Sequence, residues 1–384
     1  MSESLISNLF VGLRASLASN ERTAPFTDGT PVLIYGAGNV GKDVFRVLTA
    51  RGLSVLGFLD RNAQPGAAWQ GVPVWQADDP AVLAVQHRNC HVVIGIFNLD
   101  VEIPPIVAML HALGFSRVST FLDLHDAFPD ALGDRYWLTD RSFYDPLESQ
   151  VAAAYELWSD GASRDVYAAA LRGRFTHDHA VLPQPCIGPQ YFAPDLPAWP
   201  VPLRFVDCGA FDGDTVRHLA DTGMAIEALA AFEPDGVNFV KLAHCVQGRR
   251  ASLPEAISLF PCGVHSCTAQ LRFSAGQDAS SCASTCGDTL IQGVSLDEAL
   301  PCFRPNLIKM DIEGAEYAAL LGARHTLAEH RPGLAICLYH RPEHLWQIPL
   351  LLRDWNLGYQ FYLRAHCFNG FDLVLYAIPR LLLD

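Results

Sequence analysis

The sequence FVDCGAFDGDT at residues 205–215 indicates how the second half of the chain folds. It begins with apolar residues typical of a buried strand, and the glycines that follow indicate a tight turn that leads into a helix. A strand, a glycine-rich turn and a helix in this order bring the backbone close to a nucleotide-like ligand. The stretch therefore predicts the first strand and helix of a parallel, ligand-binding sheet.

The charge of this turn indicates which ligand it accepts. Asp207, Asp212 and Asp214 surround the glycines, and their charges would repel a pyrophosphate. A ligand with an ammonium group and a sulfonium, such as S-adenosylmethionine, would be attracted instead. Glu233 ends the next predicted strand, where its carboxylate would accept hydrogen bonds from both ribose hydroxyls. The alternative is an acidic turn exposed to solvent, which would leave the placement of Glu233 unexplained.

Strand and helix patterns alternate through the rest of this half, with helices predicted over 235–246 and 314–330. Such alternation is typical of an α/β fold with a parallel sheet and right-handed crossovers. The predicted strands are LRFVDCG (203–209), EALAAFE (227–233), AISLFP (256–261), NLIKMD (306–311), GLAICLY (333–339), YQFYL (359–363) and FDLVLYAI (371–378).

A second glycine-rich turn lies near the start of the chain. It follows the predicted strand PVLIY (31–35) and contains the G-x-G-x-x-G pattern Gly36, Gly38 and Gly41. Asp60 ends the next predicted strand, where an acid would hold a ribose. Since this turn contains no carboxylate, it is compatible with a nucleotide or nucleotide sugar. We favour the alternative, a nucleotide-binding fold that serves only as scaffold or interaction surface, because this motif alone often occurs without such a ligand. Further strands are predicted at HVVIGIF (91–97) and RVSTFL (117–122), with a helix over 103–114 between them.

These patterns divide the chain into four parts. An amphipathic helix over 1–29 precedes a Rossmann-like domain of nucleotide-binding type over 30–123. A helical connector over 124–199 leads to the second Rossmann-like domain over 200–384. The connector contains two predicted helices and ends in a proline-rich loop over the second domain. The N-terminal helix is expected to pack on its own domain or on the partner in a homodimer, rather than on a membrane.

Composition excludes several classes of protein. The 384 residues are 50% hydrophobic and 18% charged, which supplies a core for more than one domain. The net charge of −14 disfavours nucleic acid as a partner, since such proteins present a basic face. No apolar run is long enough to span a membrane, and the N-terminus lacks the positive charge that opens a secretory signal. We therefore expect a cytoplasmic protein.

The 11 cysteines are expected to be reduced thiols rather than disulfides. One cluster has roughly the spacing of zinc ligands, but its Ser, Gly and Thr neighbours suggest a surface loop. We therefore favour ordinary thiols over a metal site at Cys262, His265, Cys267, Cys282 and Cys286.

The second half resembles the FkbM family of S-adenosylmethionine-dependent methyltransferases, and the first half resembles the N-terminal part of its longer, two-domain members. The resemblance implies a class I methyltransferase fold, a seven-stranded sheet whose last strand is antiparallel. It also implies methyl transfer to an oxygen, often a hydroxyl of a sugar or a sugar-bearing natural product. The segments that carry it are QYF (190–192), FVDCGAFDGDT (205–215), AFEPD (231–235), VSLDE (294–298), LIKMDIEGAE (307–316), LYHRPEHLWQIP (338–349), FYLR (361–364) and LVLYAIP (373–379).

By motif, the resemblance implies that Glu233 takes the ribose and that Gly263 and Val264 lie near the adenine. The residues implied at the methionine end of the cofactor are Asp207, Gly209, Ala210, Asp212, Gly213 and Thr215. Two features depart from the family. Ala365 precedes His366 where members often have paired histidines, and the Ser/Cys-rich loop at 279–287 is unusual. The identity of the acceptor therefore does not carry over.

An alcohol becomes a good nucleophile when a base removes its proton or a metal polarises it. Asp311 ends a central predicted strand and Glu313 follows it, although Glu313 could instead cap the next helix. His340 closes another strand, where a neutral imidazole could act as general base, or it could be an ordinary loop residue. His344 and Arg364 are weaker acceptor-side candidates. A divalent metal on Asp311 and Glu313 is an open alternative, but two carboxylates are too few ligands to predict it.

Three hypotheses follow. The first is an O-methyltransferase that acts on a hydroxylated small molecule or glycan. The second is an NAD-dependent or nucleotide-sugar enzyme whose chemistry takes place in the first domain. The third is a binding protein without catalytic activity.

Overall fold

The computed structural model describes residues 2–19, 26, 29–79, 82, 90–273 and 289–380. The chain divides into two compact units. Unit 1 comprises Met1–Ala152, Asp165–Pro185 and Cys367–Phe371, and unit 2 comprises Ala153–Arg164, Cys186–His366 and Asp372–Asp384. The Ser/Cys-rich loop, with Cys282 and Cys286, lies outside the described residues.

Unit 1 contains a six-stranded sheet of order β3-β4-β2-β1-β5-β6, in which every pairing is parallel except β3 with β4. All four residues of β1 and all four of β5 are buried, as expected for the central strands of a parallel sheet covered by helices on both faces. The strands are β1 (Val32–Tyr35), β2 (Val55–Leu59), β3 (Ala68–Trp69), β4 (Val72–Trp75), β5 (His91–Ile94) and β6 (Arg117–Ser119). The strands β3 and β4 were not predicted from the sequence.

The helices of the first part of the chain follow the predicted order. They are α1 (Ser2–Ala18), α2 (Asn39–Ala50), α3 (Ile103–Ala112), α4 (Phe121–Ala127), α5 (Pro129–Leu132), α6 (Glu148–Tyr155) and α7 (Gly161–Thr176), with 3₁₀ segments at Arg141–Leu147 and His179–Val181. In α1, the buried Phe10 packs on Phe175 at a centroid distance of 4.9 Å. The amphipathic face of this helix thus packs on its own unit.

The predicted strand at 117–122 is too long at its C-terminal end. Thr120 accepts a hydrogen bond from the Asp123 amide (3.3 Å), and the Asp123 carboxylate accepts one from the Thr120 amide (2.7 Å). This capping box starts α4 at Phe121, so the local hydrogen bonds override the β propensity of the apolar residues.

Unit 2 contains a seven-stranded sheet of order β15-β16-β14-β13-β7-β8-β9, in which β16 is antiparallel to both neighbours. This confirms the predicted α/β class with two Rossmann-like sheets and an antiparallel last strand. The strands are β7 (Leu203–Cys208), β8 (Ile226–Phe232), β9 (Ala256–Phe260), β13 (Leu307–Met310), β14 (Gly333–Cys337), β15 (Tyr359–Ala365) and β16 (Leu373–Pro379).

A separate three-stranded sheet of order β10-β12-β11 was not predicted. It consists of β10 (Gly263–Val264), β11 (Ala269–Phe273) and β12 (Thr289–Val294). The helices of unit 2 are α8 (Asp214–Thr222), α9 (Gly236–Gly248), α10 (Leu296–Ala299), α11 (Glu316–Leu321), α12 (Arg324–His330) and α13 (His344–Asp354), with a 3₁₀ segment at Arg250–Ser252.

The single helical stretch predicted over 314–330 is two helices, α11 and α12, separated at Gly322. A Cβ atom on Gly322 would lie 2.2 Å from the His265 carbonyl oxygen, so the chain passes too close here for any other residue. Across the described ranges, no helix has both the length and the apolar character to span a membrane.

Candidate functional site

The strands β7, β8 and β13 are neighbours and parallel, so their carboxyl ends meet at one edge of the sheet. Ligands of such sheets bind at this edge. The register places Asp207 of β7 beside Lys309 of β13, while Glu233 follows β8 and Asp311 follows β13. Three carboxylates predicted from separate segments therefore lie at one edge.

The glycine turn after β7 is tight and has a left-handed backbone. Gly209, Phe211 and Gly213 have φ angles of +78°, +47° and +87°. The Gly209 and Ala210 amides both donate to the Phe232 carbonyl at 3.0 Å, and the Ala210 side chain is buried. A Cβ atom on Gly209 would lie 1.9 Å from the Asp311 carbonyl oxygen. The glycine is therefore required to pack the turn against the end of β13.

Asp207 is completely buried and pairs with Lys309, whose Nζ lies 3.1 Å from Oδ1. Lys309 also donates to the Gly209 carbonyl and lies 5.3 Å from the centroid of the Tyr191 ring. Burial raises the pKa of Asp207 to about 6, against the opposing effect of Lys309. Burial by itself lowers the pKa of Lys309, but Asp207, Asp311 and Asp214 outweigh it and raise that pKa above its usual value.

The sequence suggested that three aspartate charges surround the turn, and in the structure two of them have cationic partners. Asp207 pairs with Lys309, and Asp212 Oδ1 accepts from Arg217 Nη2 at 2.7 Å. Asp214 is exposed in the first turn of α8, where its negative charge is favourable. Because two of the three carboxylates have cationic partners, the turn is less negative than its sequence suggests. The buried Thr215 follows Asp214 in the same helix.

Glu233 is buried, and both of its carboxylate oxygens accept from the backbone. Oε2 accepts from the Phe211 amide at 2.9 Å and Oε1 from the Asp235 amide at 2.8 Å. Burial raises the pKa of Glu233 to about 7, although these hydrogen bonds lower it. Each oxygen keeps a second lone pair for a ligand hydroxyl.

Gly263 and Val264 lie close to the end of β8. An ideal Cβ on Gly263 would be 3.9 Å from Pro234 and 3.4 Å from Ile291, while Val264 is buried. Gly263, which is expected to face the adenine, thus lies next to Pro234, the residue that follows Glu233.

The three residues predicted to be catalytic come together. His340 Nε2 lies 3.3 Å from Asp311 Oδ1 and 3.7 Å from Glu313 Oε1. Two further residues complete this group. Glu316 Oε1 lies 2.6 Å from His340 Nδ1, and Glu316 Oε2 lies 3.2 Å from His344 Nδ1. We call these five residues the carboxylate–histidine cluster.

Burial and charge set the protonation of this cluster. Burial lowers the pKa of His340, but Glu316 and Glu313 outweigh it and the pKa rises to about 10. Burial raises the pKa of Glu313 to about 8, against the effect of His340. Burial also opposes ionisation of Glu316, but His340 and His344 hold its pKa well below its usual range. A neutral His340 acting as base, as the sequence suggested, disagrees with these surroundings.

Tyr191 joins the site from the proline-rich loop before β7. Its hydroxyl donates to Asp311 Oδ2 at 2.7 Å and lies 3.7 Å from Cys337 Sγ. Its backbone is fixed on both sides, because Trp199 donates to its carbonyl (2.8 Å) and its amide donates to the Tyr376 hydroxyl (3.0 Å). The loop therefore supplies a buried residue of the site.

Sequence reasoning missed Lys309, Glu316 and Tyr191, although two of them carried a signal. Lys309 is a charged residue inside an otherwise apolar strand, which is rare without a buried partner. Glu316 is the last acid of the segment DIEGAE and begins α11. Tyr191 gave no comparable signal, because its contact depends on how the loop folds back.

Arg364, a weaker acceptor-side candidate, is buried and already paired. Its Nη2 donates to Asp160 Oδ2 at 2.7 Å and its Nε to Asp195 Oδ2 at 2.8 Å. Within the parts of the chain that are described, no group of three or more His, Cys, Asp or Glu side chains is arranged to hold a metal ion.

The glycine turn of unit 1 is explained largely by close packing. Gly36 has a φ of +102°, and a Cβ atom on Gly41 would lie 1.9 Å from the Gly36 carbonyl oxygen. Asp60 accepts from the Ala37 amide and from the Asn62 amide, both at 2.9 Å, and so holds the turn itself. Gly38 starts α2 without a side-chain cap. These contacts are compatible with a scaffold and with a ligand site.

The sheet order with its antiparallel last strand, the glycine turn and the acid after β8 define a class I methyltransferase fold. Residues 207–361 match the family model of the methyltransferase FkbM domain. The chain therefore carries a methyltransferase domain of the FkbM family. Residues 31–101 match the model of the PglD N-terminal domain, in agreement with a Rossmann-like first domain.

A solved structure agrees with this fold. The crystal structure of methyltransferase FkbM from Methylobacillus flagellatus KT is 22% identical with a TM-score of 0.78, and the match covers 97% of this chain and 99% of that one. Fibrillarin from Aeropyrum pernix, solved with S-adenosyl-L-methionine, is 15% identical over 46% of this chain and 66% of that one. Its TM-score of 0.28 is too low to support an argument. No curated protein matches the sequence.

Proposed function

We propose that this protein is an S-adenosylmethionine-dependent O-methyltransferase whose acceptor is a hydroxyl of a sugar or of another small molecule or glycan. The observation that carries this proposal is the position of the carboxylate–histidine cluster. Asp311 belongs to the cluster, and its backbone amide donates to the Cys208 carbonyl (3.1 Å) at the start of the glycine turn. An alcohol that receives a methyl group needs a nearby base to take its proton. The cluster places such a base beside the glycine turn that would hold the methyl donor.

The residues at the edge of the sheet fit the cofactor. Glu233 presents a second lone pair on each oxygen, which suits two neighbouring ribose hydroxyls. The exposed carboxylate of Asp214 suits an ammonium group. When bound, S-adenosylmethionine supplies a methyl group on a positively charged sulfur. The residues that would hold it are Asp207, Gly209, Ala210, Asp212, Gly213, Thr215, Glu233, Gly263 and Val264.

The cluster would orient the acceptor and receive its proton. In-line transfer requires the acceptor oxygen to be held on the far side of the methyl carbon, so positioning accounts for much of the rate. Asp311, Glu313 and His340 are the residues proposed to orient the acceptor, and a carboxylate of the cluster is proposed to receive its proton. Asp311 and Glu313 keep part of their side chains exposed, 24% and 18%, and can therefore reach a bound molecule.

Calorimetry on the purified full chain tests the cofactor. S-Adenosylmethionine is expected to bind, and Glu233→Ala should weaken its binding at least tenfold. Binding of NAD or a UDP-sugar without S-adenosylmethionine would overturn the assignment in favour of a nucleotide enzyme.

A panel of matched alcohol, amine and carboxylate acceptors, followed by mass spectrometry, tests the reaction. Only alcohols should gain a methyl group. Asp311→Ala should lower turnover at least 100-fold with little change in cofactor affinity, while Asp221→Ala, a surface control, should change neither. Methylation of the amines alone would contradict O-methylation.

Three expectations from the sequence are kept as proposals: a homodimer, a cytoplasmic location, and a nucleotide or nucleotide sugar at the turn of unit 1. The same calorimetric titrations, repeated with Gly41→Val, test the last of these.

A further inference from the structure

The surroundings of His340 determine how many protons its ring carries. Its Nδ1 faces Glu316 Oε1 at 2.6 Å, and its Nε2 faces Asp311 Oδ1 at 3.3 Å. An ionised carboxylate only accepts hydrogen bonds, so a ring nitrogen that faces one must carry a hydrogen. Since both nitrogens face carboxylates, the ring is an imidazolium and has no lone pair with which to remove a proton.

Glu316 is fixed in its charged form by several donors. Its Oε1 accepts hydrogen bonds from the Ile312 amide (2.9 Å) and the Gly314 amide (3.4 Å) as well as from His340, while its Oε2 lies 3.2 Å from His344 Nδ1. Its side chain is completely buried. A buried carboxylate held by this many donors stays ionised, and it fixes the tautomer and orientation of the histidine.

Asp311 is held from the opposite side. Its Oδ2 accepts from the Tyr191 hydroxyl at 2.7 Å while its Oδ1 faces His340. Both of its oxygens thus have partners within the protein. Other groups near His340 include the ring of Tyr339, 4.0 Å away between centroids, His344 beyond Glu316, and Cys337 beside Tyr191. Asp372 adds negative charge that raises the pKa of Glu313.

Glu313 has a different environment from Asp311. Its Oε1 lies 3.7 Å from His340 Nε2, longer than a hydrogen bond. Its φ of +53° is unusual for a residue with a side chain, and such strained backbone clusters at functional sites. Among Asp311, Glu313 and Glu316, Glu313 is the carboxylate least engaged with donors of the protein itself. It is also the residue with this strained backbone.

Resting on the O-methyl transfer proposed above, we propose that Glu316 is a positioning residue that locks His340 as a cation, and that Glu313 is the general base. In the step, the acceptor O–H bond breaks and its proton moves to the Glu313 carboxylate. The acceptor oxygen uses the freed electron pair to form the O–CH₃ bond, and the pair of the broken S–CH₃ bond stays on sulfur. The products are a methyl ether, a neutral thioether and a protonated Glu313.

This assignment gives each residue a distinct task. A carboxylate whose pKa is raised by burial to about 8 is a stronger base than an ordinary one and is well matched to neutral pH. The fixed charge of His340 stabilises the acceptor oxygen as it becomes more negative.

The first test is the titration of His340 in the protein without cofactor or acceptor, using ¹³C-labelled histidine and NMR. The His340 signal is identified by its absence in His340→Gln. It should stay protonated above pH 9 in the wild type, and its pKa should fall by at least two units in Glu316→Gln. Glu329→Gln, beside the exposed His325, is the matched control and should not shift it. A wild-type His340 that titrates near pH 6.5 would overturn the proposal, whether or not the protein proves to be an O-methyltransferase.

The second test uses turnover of an alcohol acceptor. His340→Lys keeps a positive charge and should retain at least a tenth of the rate, whereas His340→Gln should lose more than 100-fold. Glu313→Gln should abolish the rise in rate between pH 7 and 9. Equal inactivity of folded His340→Lys and His340→Gln would show that His340 is the base. If Glu316→Gln does not fold, Glu316→Asp replaces it, and the wild-type titration still decides.

Discussion

Replacement of Lys309 by methionine removes the cation that faces the buried Asp207. The two side chains are 3% and 0% exposed, with Nζ and Oδ1 3.1 Å apart. Methionine has a similar shape but no charge, so Asp207 would be left buried without its ion-pair partner. The loss of one partner of a buried pair costs about 3–5 kcal/mol. We expect that loss in the free energy of unfolding at pH 8.

The same geometry predicts that the decrease in the free energy of unfolding caused by Lys309→Met depends on pH. Burial raises the pKa of Asp207 from 3.8 to about 6, so the folded protein binds more protons than the unfolded chain. Stability therefore falls as the pH rises from 3.8 through the folded pKa. Without Lys309 the folded pKa moves higher, and each unit of further shift costs about 1.4 kcal/mol. If Asp207 stays protonated up to pH 8 in Lys309→Met, this substitution should lower the free energy of unfolding by roughly 3 kcal/mol less at pH 5 than at pH 8.

Urea unfolding followed by hydrogen exchange of the peptides that contain β7 and β13 measures this unit separately. Arg249→Met removes an exposed pair with Asp221 and is the matched control, and we expect it to change the stability little at either pH. Asp207→Asn combined with Lys309→Met should recover much of the stability at pH 8. If Lys309→Met lost the same stability at both pH values, or less than about 1 kcal/mol, Lys309 would not be the partner that stabilises the buried charge of Asp207.

Two further predictions concern the cofactor turn. Gly209→Ala should lower the free energy of unfolding by about 3 kcal/mol or more, because its Cβ would lie 1.9 Å from the Asp311 carbonyl oxygen. Gly223→Ala, at a φ of +68° with open space around it, should cost only about 1 kcal/mol, and equal losses would contradict this explanation. Because the pKa of Glu233 is about 7, a large part of this carboxyl is protonated at pH 7. Cofactor hydroxyls that donate to it favour the ionised form, so cofactor binding at pH 7 should release roughly half a proton. Calorimetry in buffers of different ionisation enthalpy measures this release, and Glu233→Gln should abolish it; an unchanged buffer dependence would rule out the role of Glu233.

Local sequence predicted the architecture well, because strand and helix periodicity and glycine turns are short-range signals. The alternation of apolar strands and helices indicated both Rossmann-like sheets, and FVDCGAFDGDT placed the turn at the carboxyl edge of β7. Errors arose where contacts from elsewhere decide local structure. The capping box at Thr120 ended a strand early, and the helix predicted over 314–330 is divided at Gly322, where the chain passes close to His265.

The sequence alone also identified Asp311, Glu313 and His340 as candidates, since each follows a strand whose carboxyl end meets the same edge. It could not assign their charges. Whether a histidine is a neutral base or a fixed cation depends on which groups face its two nitrogens, and Glu316 and Asp311 reach it from different segments. The same holds for Asp207, whose negative charge is balanced by Lys309 from a neighbouring strand about 100 residues later. Periodicity reports on the neighbours of a residue along the chain, whereas protonation depends on burial and on charges within a few ångströms, which only the tertiary structure brings together.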